Sequence, residues 1–394
     1  MHELKKHKIY CLNNIAQIGL KKFRAGYEIS DELEKCAGIL VRSADMHSME
    51  FSRNIRAVAR AGAGVNNIPV EKCSENGIVV FNTPGANANS VKELVIAGLL
   101  IASRDIYGGI NWVKNNSNNL NITKDTEKNK KDFAGHEISG HTLGIIGLGA
   151  IGVKVANSAV SLGMNVYGYD PYLSVKSAWM LSPLVKHADN PEELFSVSDF
   201  ITIHVPAMEA TKKMINAEAI SKMKDGVKIL NFARDVLVDE EALKSALISG
   251  HVAKYISDFP NNLSANLPNA IILPHLGAST EEAEDNCAIM AVEQMQDYLD
   301  NGNISNSVNY PDLNAGKCET EARVGVLHKN IPNMLSQITS FFGSNNLNID
   351  NLSNKARGQY AYTLLDISHA MPENTVDRLL EIDGVLRVRR IFER

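Results

Sequence analysis

The sequence predicts two doubly wound α/β domains followed by a small α+β module, and three observations carry that prediction. Short β-branched runs alternate with helical stretches through most of the 394 residues, a pattern that calls for parallel sheets covered by helices. A Gly-x-Gly-x-x-Gly turn stands between an apolar run and a helical pattern near the middle of the chain. The last stretch reads strand, helix, strand, strand, helix, strand over about seventy residues, the order of a ferredoxin-like α+β module.

In chain order, the first domain is expected to hold strands at 7–12, 38–42, 57–60 and 77–82, with helices at 30–35 and 70–76. A long helical pattern from Asn89 leads into the second domain, whose strands lie around the glycine turn and at 200–204, 228–232, 255–258 and 270–274. A second long helix at 281–299 returns the chain to the first domain. The Asn-rich stretch 115–121 reads as a loop or helix end, and the polar, turn-rich 301–316 as a linker. The C-terminal module places strands at 322–328, 348–353, 359–367 and 385–391, and helices at 332–342 and 372–380. Domains of 1–91 with 282–312, 92–281, and 321–394 follow.

Composition narrows the function. An apolar fraction of 44% suits a globular protein, and a net charge of −5 offers no broad basic face for nucleic acid. Five cysteines are scattered without Cys-x-x-Cys spacing, which argues for reduced thiols in a cytoplasmic protein and against a zinc site. The N-terminus lacks the apolar core of a signal peptide, and the longest apolar run is about half a bilayer span. No membrane association is expected.

The glycine turn points to a dinucleotide. Gly147 permits the tight turn, Gly149 lets backbone approach a pyrophosphate, and Gly152 lets helix pack on strand. Backbone N–H groups at Ala150 and Ile151 then face the phosphates from a helix N-terminus. Asp170, closing the next apolar run, suits both hydroxyls of an adenosine ribose and repels a 2′-phosphate, which favours NAD over NADP. Three further segments each close an expected strand of this domain, where open α/β sheets bind ligands. They are Asn231-Phe232-Ala233-Arg234, Tyr255-Ile256-Ser257-Asp258-Phe259-Pro260 and Pro274-His275-Leu276-Gly277-Ala278-Ser279-Thr280.

With these residues in view, the chain resembles the D-isomer-specific 2-hydroxyacid dehydrogenases. The resemblance runs through Val41-Arg42-Ser43, Ala59-Arg60-Ala61-Gly62-Ala63-Gly64-Val65, Asn82-Thr83-Pro84, the glycine turn, His204-Val205-Pro206, Arg234, Asp258 and His275. It implies a flavodoxin-like substrate domain, a Rossmann NAD-binding domain, and NAD-dependent oxidation of 3-phospho-D-glycerate to 3-phosphooxypyruvate, the first step of L-serine biosynthesis. His275 would take the hydroxyl proton, and Arg234 would hold the substrate carboxylate and polarise the reacting oxygen. Asp258 would receive the nicotinamide carboxamide beside the backbone of Phe232 and Ala233, with His204, Val205, Pro206, Gly277 and Ala278 completing the cofactor site. Main-chain N–H groups near Ala63 and Gly64 would take the carboxylate, Arg42 and Arg60 the phosphate, and Ser43 is a further substrate-binding candidate. Glyoxylate or hydroxypyruvate reduction is the alternative activity on the same scaffold.

Two departures from the family pattern fall in this region. Asn262 stands where the family places the Glu that orients and charges the catalytic His, and no Asp or Glu occurs from Phe259 through Thr280. A weaker base, or an NAD-bound amino-acid sensor with little catalysis, follows from that change. Asp235 replaces the Gly that commonly follows the catalytic Arg. The C-terminal module is similar to an ACT domain, which implies L-serine as effector, at His328, Asn330 and Asn348. Asn333 replaces the usual Gly there. A homodimer or homotetramer is implied as well.

Overall fold

The computed structural model describes residues 7–393, and the chain divides into two compact units, Met1–Asn87 with Glu281–Arg394, and Ala88–Thr280. Residues 1–6, where no apolar signal-peptide core is expected, lie outside the described residues. No described helix is long and apolar enough to cross a membrane.

In the first unit, β1 (His7–Cys11), β2 (Tyr27–Ile29), β3 (Gly38–Val41), β4 (Ala57–Arg60) and β5 (Val79–Phe81) form a parallel sheet in the order β2-β1-β3-β4-β5, which is flavodoxin-like. Strands β3 and β5 are buried along their whole length, as continuous apolar runs covered on both faces must be. The long helix Glu281–Asn301 supplies Ala288, Ala291, Val292, Met295 and Tyr298 to the core that contains Ile9, Leu40 and Ala57.

Two expectations need correction here. The helix at 30–35 is only a 3₁₀ turn, Leu33–Lys35; the Ser30 hydroxyl accepts the Glu32 N–H at 3.2 Å, a local bond that competes with helix formation. The linker read at 301–316 is instead part of the core. Tyr310 is fully buried and donates its hydroxyl to the Ser74 carbonyl at 2.7 Å. The Asn309 amide nitrogen donates to the Ile78 carbonyl and the Ser74 hydroxyl, while its oxygen accepts the Val80 N–H at 2.9 Å. Strand β5 is an edge strand, and Asn309 occupies its Val80 N–H, which would otherwise stay open. A segment that satisfies backbone through Asn and Ser side chains has a loop's composition and a core's burial.

The second unit holds a seven-stranded parallel sheet. Its strands are β6 (Thr142–Ile146), β7 (Asn165–Tyr169), β8 (Lys186–His187), β9 (Phe200–Ile203), β10 (Val227–Asn231), β11 (Val252–Ser257) and β12 (Ala270–Ile272), in the order β12-β11-β10-β9-β6-β7-β8. The order reverses at β6, the switch point of a Rossmann sheet. Helices Ile106–Asn115 and Ile122–Asn129 flank the Asn-rich stretch, and neither is expected from the sequence. The first exposes Ile106, Tyr107, Ile110 and Val113, which helical spacing places on one face.

The C-terminal module belongs to the first unit. Strands β13 (Ala322–Lys329), β14 (Ile349–Arg357), β15 (Tyr360–Ile367) and β16 (Val385–Glu393) pair antiparallel in the order β14-β15-β13-β16. Helices Met334–Ser344 and Thr375–Leu380 complete the ferredoxin-like pattern. Arg323, fully buried, pairs both oxygens of Asp366 and donates to the carbonyls of Asn301 and Gly316. Asn333 has φ 69°, in the left-handed region; Asn tolerates that backbone better than most residues, so a glycine-like turn is kept.

Candidate dinucleotide and substrate sites

Strand β6 delivers the glycine turn to the switch point. Gly147 has φ 92°, and a Cβ there would lie 2.6 Å from the His204 carbonyl oxygen; a Cβ on Gly152 would lie 1.9 Å from the Gly147 carbonyl oxygen. Both positions exclude any side chain. Gly149 differs, because nothing lies within 4 Å of its missing Cβ. That open space lies before the helix Ala150–Ser161, whose first residues, Ala150 and Ile151, have N–H groups without intrahelical acceptors. The cradle fits a pyrophosphate.

Asp170 is fixed by the backbone: Leu148 N–H donates to Oδ2 at 2.8 Å and Tyr172 N–H to Oδ1 at 2.9 Å. Gly147, Gly149, Asp170, His204, Val205 and Pro206 line one cavity of about 650 Å³. The His204 Nε2 lies 3.0 Å from the Thr202 hydroxyl, and its Nδ1 is sealed from water with no partner among the described residues. Burial pushes this imidazole down to about 3, so it is neutral at any ordinary pH.

A second group gathers after β10, β11 and β12. Asn231, fully buried, folds its side chain over the loop: its oxygen accepts the N–H groups of Ala233 and Arg234, and its nitrogen donates to the Arg234 carbonyl at 2.7 Å. The loop therefore presents Arg234 outward, with the guanidinium carbon 5.4 Å from the centroid of the Phe259 ring. Phe232 points instead into the core, toward the helix carrying Gly98. No ion pair joins Arg234 to Asp235 among the described residues; the guanidinium donates to the Ala233 carbonyl.

Asp258 is 1% exposed. Its Oδ2 accepts the Gly277 N–H at 2.7 Å, and its Oδ1 is buried with no partner among the described residues. Burial raises its carboxyl pKa, against the lowering pull of that N–H. An acceptor held this way suits a carboxamide N–H, so the residues present fit a nicotinamide. Ala278 follows, half-buried, on the same turn.

His275 has φ 48°, a rare backbone for an L-residue, held by its N–H bond to the Asp258 carbonyl at 2.9 Å. Its ring lies 4.7 Å from that of Phe259, centroid to centroid. Asn262 is exposed, and its carbonyl accepts the Asn266 amide. Its side chain forms no hydrogen bond to His275, and among the described residues no carboxylate bonds that ring. The preceding Asn261 explains this, since its side-chain oxygen accepts the N–H groups of Leu263 and Ser264 and turns the chain away.

In the first unit, the Asn13 side-chain oxygen accepts the N–H groups of Arg42, Ser43 and Ala44 after β3. Arg42 pairs with Glu284, and the Arg60 Nε donates to the Arg42 carbonyl at 3.0 Å. The Asn82 side chain donates to the Ala63 carbonyl at 2.6 Å, shaping the loop of Ala63 and Gly64. In the C-terminal module, His328 is 2% exposed, with Nδ1 at 2.8 Å from the Lys329 carbonyl and Nε2 at 2.9 Å from the Thr363 hydroxyl. Both ring nitrogens of His328 are thus occupied inside the sheet. Asn330 donates to the Gly358 carbonyl, and Asn348 to Asp350 and Ser368; both stay exposed.

Sequence reasoning named the segments holding Asn231 and Phe259 without giving either a role, and it missed Asn13 and Glu284. A buried Asn at the end of an apolar strand is a usable signal, since it must find partners. Glu284 has none, lying far from Arg42 in sequence.

Residues 96–277 match the family described as D-isomer specific 2-hydroxyacid dehydrogenase, NAD binding domain. The chain is 30% identical over 388 residues to the D-3-phosphoglycerate dehydrogenase of Haemophilus influenzae, covering 94% of this chain and 90% of that one. It is 39% identical over 269 residues to the hydroxypyruvate reductase of Thermotoga maritima, covering 65% and 83%. Among solved structures, the NAD+-bound 3-phosphoglycerate dehydrogenase of Entamoeba histolytica superposes with a TM-score of 0.60 at 28% identity, over 78% of this chain and 100% of that one. Two other, longer D-3-phosphoglycerate dehydrogenases are spanned over only 57% and 54% of their length.

The fold and the glycine turn thus define a chain built on an NAD-binding Rossmann domain of the dehydrogenase type. The chain belongs to the D-isomer specific 2-hydroxyacid dehydrogenase family.

Proposed function

We propose that the chain oxidises 3-phospho-D-glycerate to 3-phosphooxypyruvate, the first step of L-serine biosynthesis. The observation that carries this reading is the match to the Haemophilus influenzae enzyme, which extends over 94% of this chain. NAD, held by the turn of Gly147 and Gly149 and by Asp170, would supply the hydride acceptor for C2 of the substrate. His275 takes the hydroxyl proton on a ring nitrogen, which no described residue occupies. Arg234 holds the carboxylate and the reacting oxygen in its planar fork. Ala63 and Gly64 offer backbone N–H groups to the carboxylate, while Arg42, Ser43 and Arg60 serve the phosphate.

A second reading, reduction of hydroxypyruvate or glyoxylate, is favoured by the Arg42–Glu284 pair, which takes cationic charge from the phosphate subsite. A substrate panel followed by NADH absorbance decides: kcat/KM for 3-phosphoglycerate should exceed that for D-glycerate by at least about tenfold, as a charge-assisted phosphate contact requires. Equal values would remove the phosphate from the assignment.

We also propose feedback by L-serine through Asn330 and Asn348, with the C-terminal module acting as an ACT domain. His328 supports that surface from within the sheet. Calorimetric titration with L-serine tests this, and absence of heat counts against it. The exposed apolar face of Ile106–Asn115 supports assembly into at least a dimer, and five unbridged cysteines support a cytoplasmic enzyme.

A further inference from the structure

Arg53, Arg56, Arg387, Arg389 and Arg390 line one cavity of about 700 Å³ in the first unit, against a single carboxylate, Glu75. Among the described residues only Arg390 of these five forms an ion pair, with Glu393. Arg387 donates to the carbonyls of Arg53, Ile55 and Asn76. Arg389, 6% exposed, donates to the carbonyls of Tyr298 and Leu299, and its Nε is buried with no partner. Carbonyl dipoles orient these guanidinium groups without neutralising them. Burial, then the charges of Arg389 and Arg387, push Arg56 down to about 10, which leaves it cationic at neutral pH. Gathering half-buried like charges is unfavourable unless something of opposite sign completes the set.

We propose that this cavity is a second anion site, built for a small phosphorylated molecule, in which the planar guanidinium forks take phosphate oxygens. Ser52 and Asn76 supply neutral polar groups, and Phe51 and Leu380 give an apolar wall for the rest of the ligand. The frame is close-packed: Gly77 has φ 61°, and a Cβ there would lie 2.5 Å from the Arg387 Cβ. Arg56 precedes β4 and Arg60 ends it, so roughly 13 Å of strand separates this cavity from the loops holding Arg42 and Arg60. An occupant would bridge β16 of the C-terminal module to the first sheet. The inference does not rest on the proposed activity.

Inorganic pyrophosphate is the probe, titrated calorimetrically at low salt into protein saturated with NADH, so that the dinucleotide cradle is filled. Wild type should bind it, and Arg53→Gln with Arg56→Gln should weaken binding at least about tenfold. Glu75→Gln should tighten binding, a gain that misfolding cannot mimic, and Arg60→Gln should leave it unchanged. No binding by the wild type, equal affinity in the double variant, no tightening in Glu75→Gln, or loss confined to Arg60→Gln would each overturn the site.

Discussion

The rings of Phe259 and His275 lie 4.7 Å apart, centroid to centroid, inclined at 43°, and the same Phe259 ring receives the Arg234 guanidinium at 5.4 Å. One neutral side chain thus spaces the proposed base from the proposed carboxylate holder. It does so where no carboxylate among the described residues bonds the His275 ring.

Replacing that spacer should be expensive for turnover and cheap for stability. Phe259 is only half-buried, and a small displacement of reacting groups costs on the order of 100-fold in rate. Phe259→Ala should therefore lower kcat by about 10- to 100-fold with NADH affinity nearly intact. Steady-state kinetics beside fluorescence titration of NADH makes the comparison.

Asn262→Glu tests the missing carboxylate. An anion reaching His275 would stabilise the imidazolium, raising the pH at which the ring becomes a free base. The acidic limb of the kcat/KM profile for oxidation should move to higher pH, and kcat should rise. An unmoved limb would show that the turn at Asn261 keeps position 262 out of reach.

His204 makes stability fall on the acid side. Its native pKa of about 3 lies below the ordinary 6.5. Above pH 6.5 neither state binds the proton, and nothing is gained or lost. Below it the unfolded chain binds a proton that the native ring refuses, so stability drops by about 1.4 kcal/mol per pH unit until the native ring titrates too. His204→Gln should flatten this slope between roughly pH 6 and pH 4. Both tryptophans, Trp112 and Trp179, lie in the second unit, so urea unfolding followed by tryptophan fluorescence reads the right part of the chain.

Asn309→Ala should destabilise the first unit by about 3 kcal/mol or more, since it strands buried groups at Ser74, Ile78 and Val80. A lowered calorimetric melting temperature with unchanged NADH affinity is the expected result.

The glycine turn, the parallel sheets and the C-terminal βαββαβ order were legible in sequence because each depends on local pattern. Gly147, Gly149 and Gly152 announce themselves by spacing alone. What was not legible depends on distant partners: Glu284 meets Arg42 across 242 positions, and the fate of His328 is set by Thr363 on a neighbouring strand. The segment 301–316 has a linker's composition because its Asn and Ser side chains bond protein groups rather than solvent, Asn309 reaching β5 and Ser307 holding Asn309. Helix Ile106–Asn115 carries two glycines in its first turns, which hid its helical character.

Arg323 holds the carbonyls of Asn301 and Gly316 from inside the C-terminal module, while Tyr310 between them is sunk beside Ser74. Dissection of the chain is constrained accordingly. A cut near residue 301 would remove the buried segment that covers the edge of β5 along with the regulatory candidate, and loss of activity in such a truncation would say nothing about regulation. A separable module would have to be detached after Gly316, with Arg323 and its new vacancy dealt with at the same time.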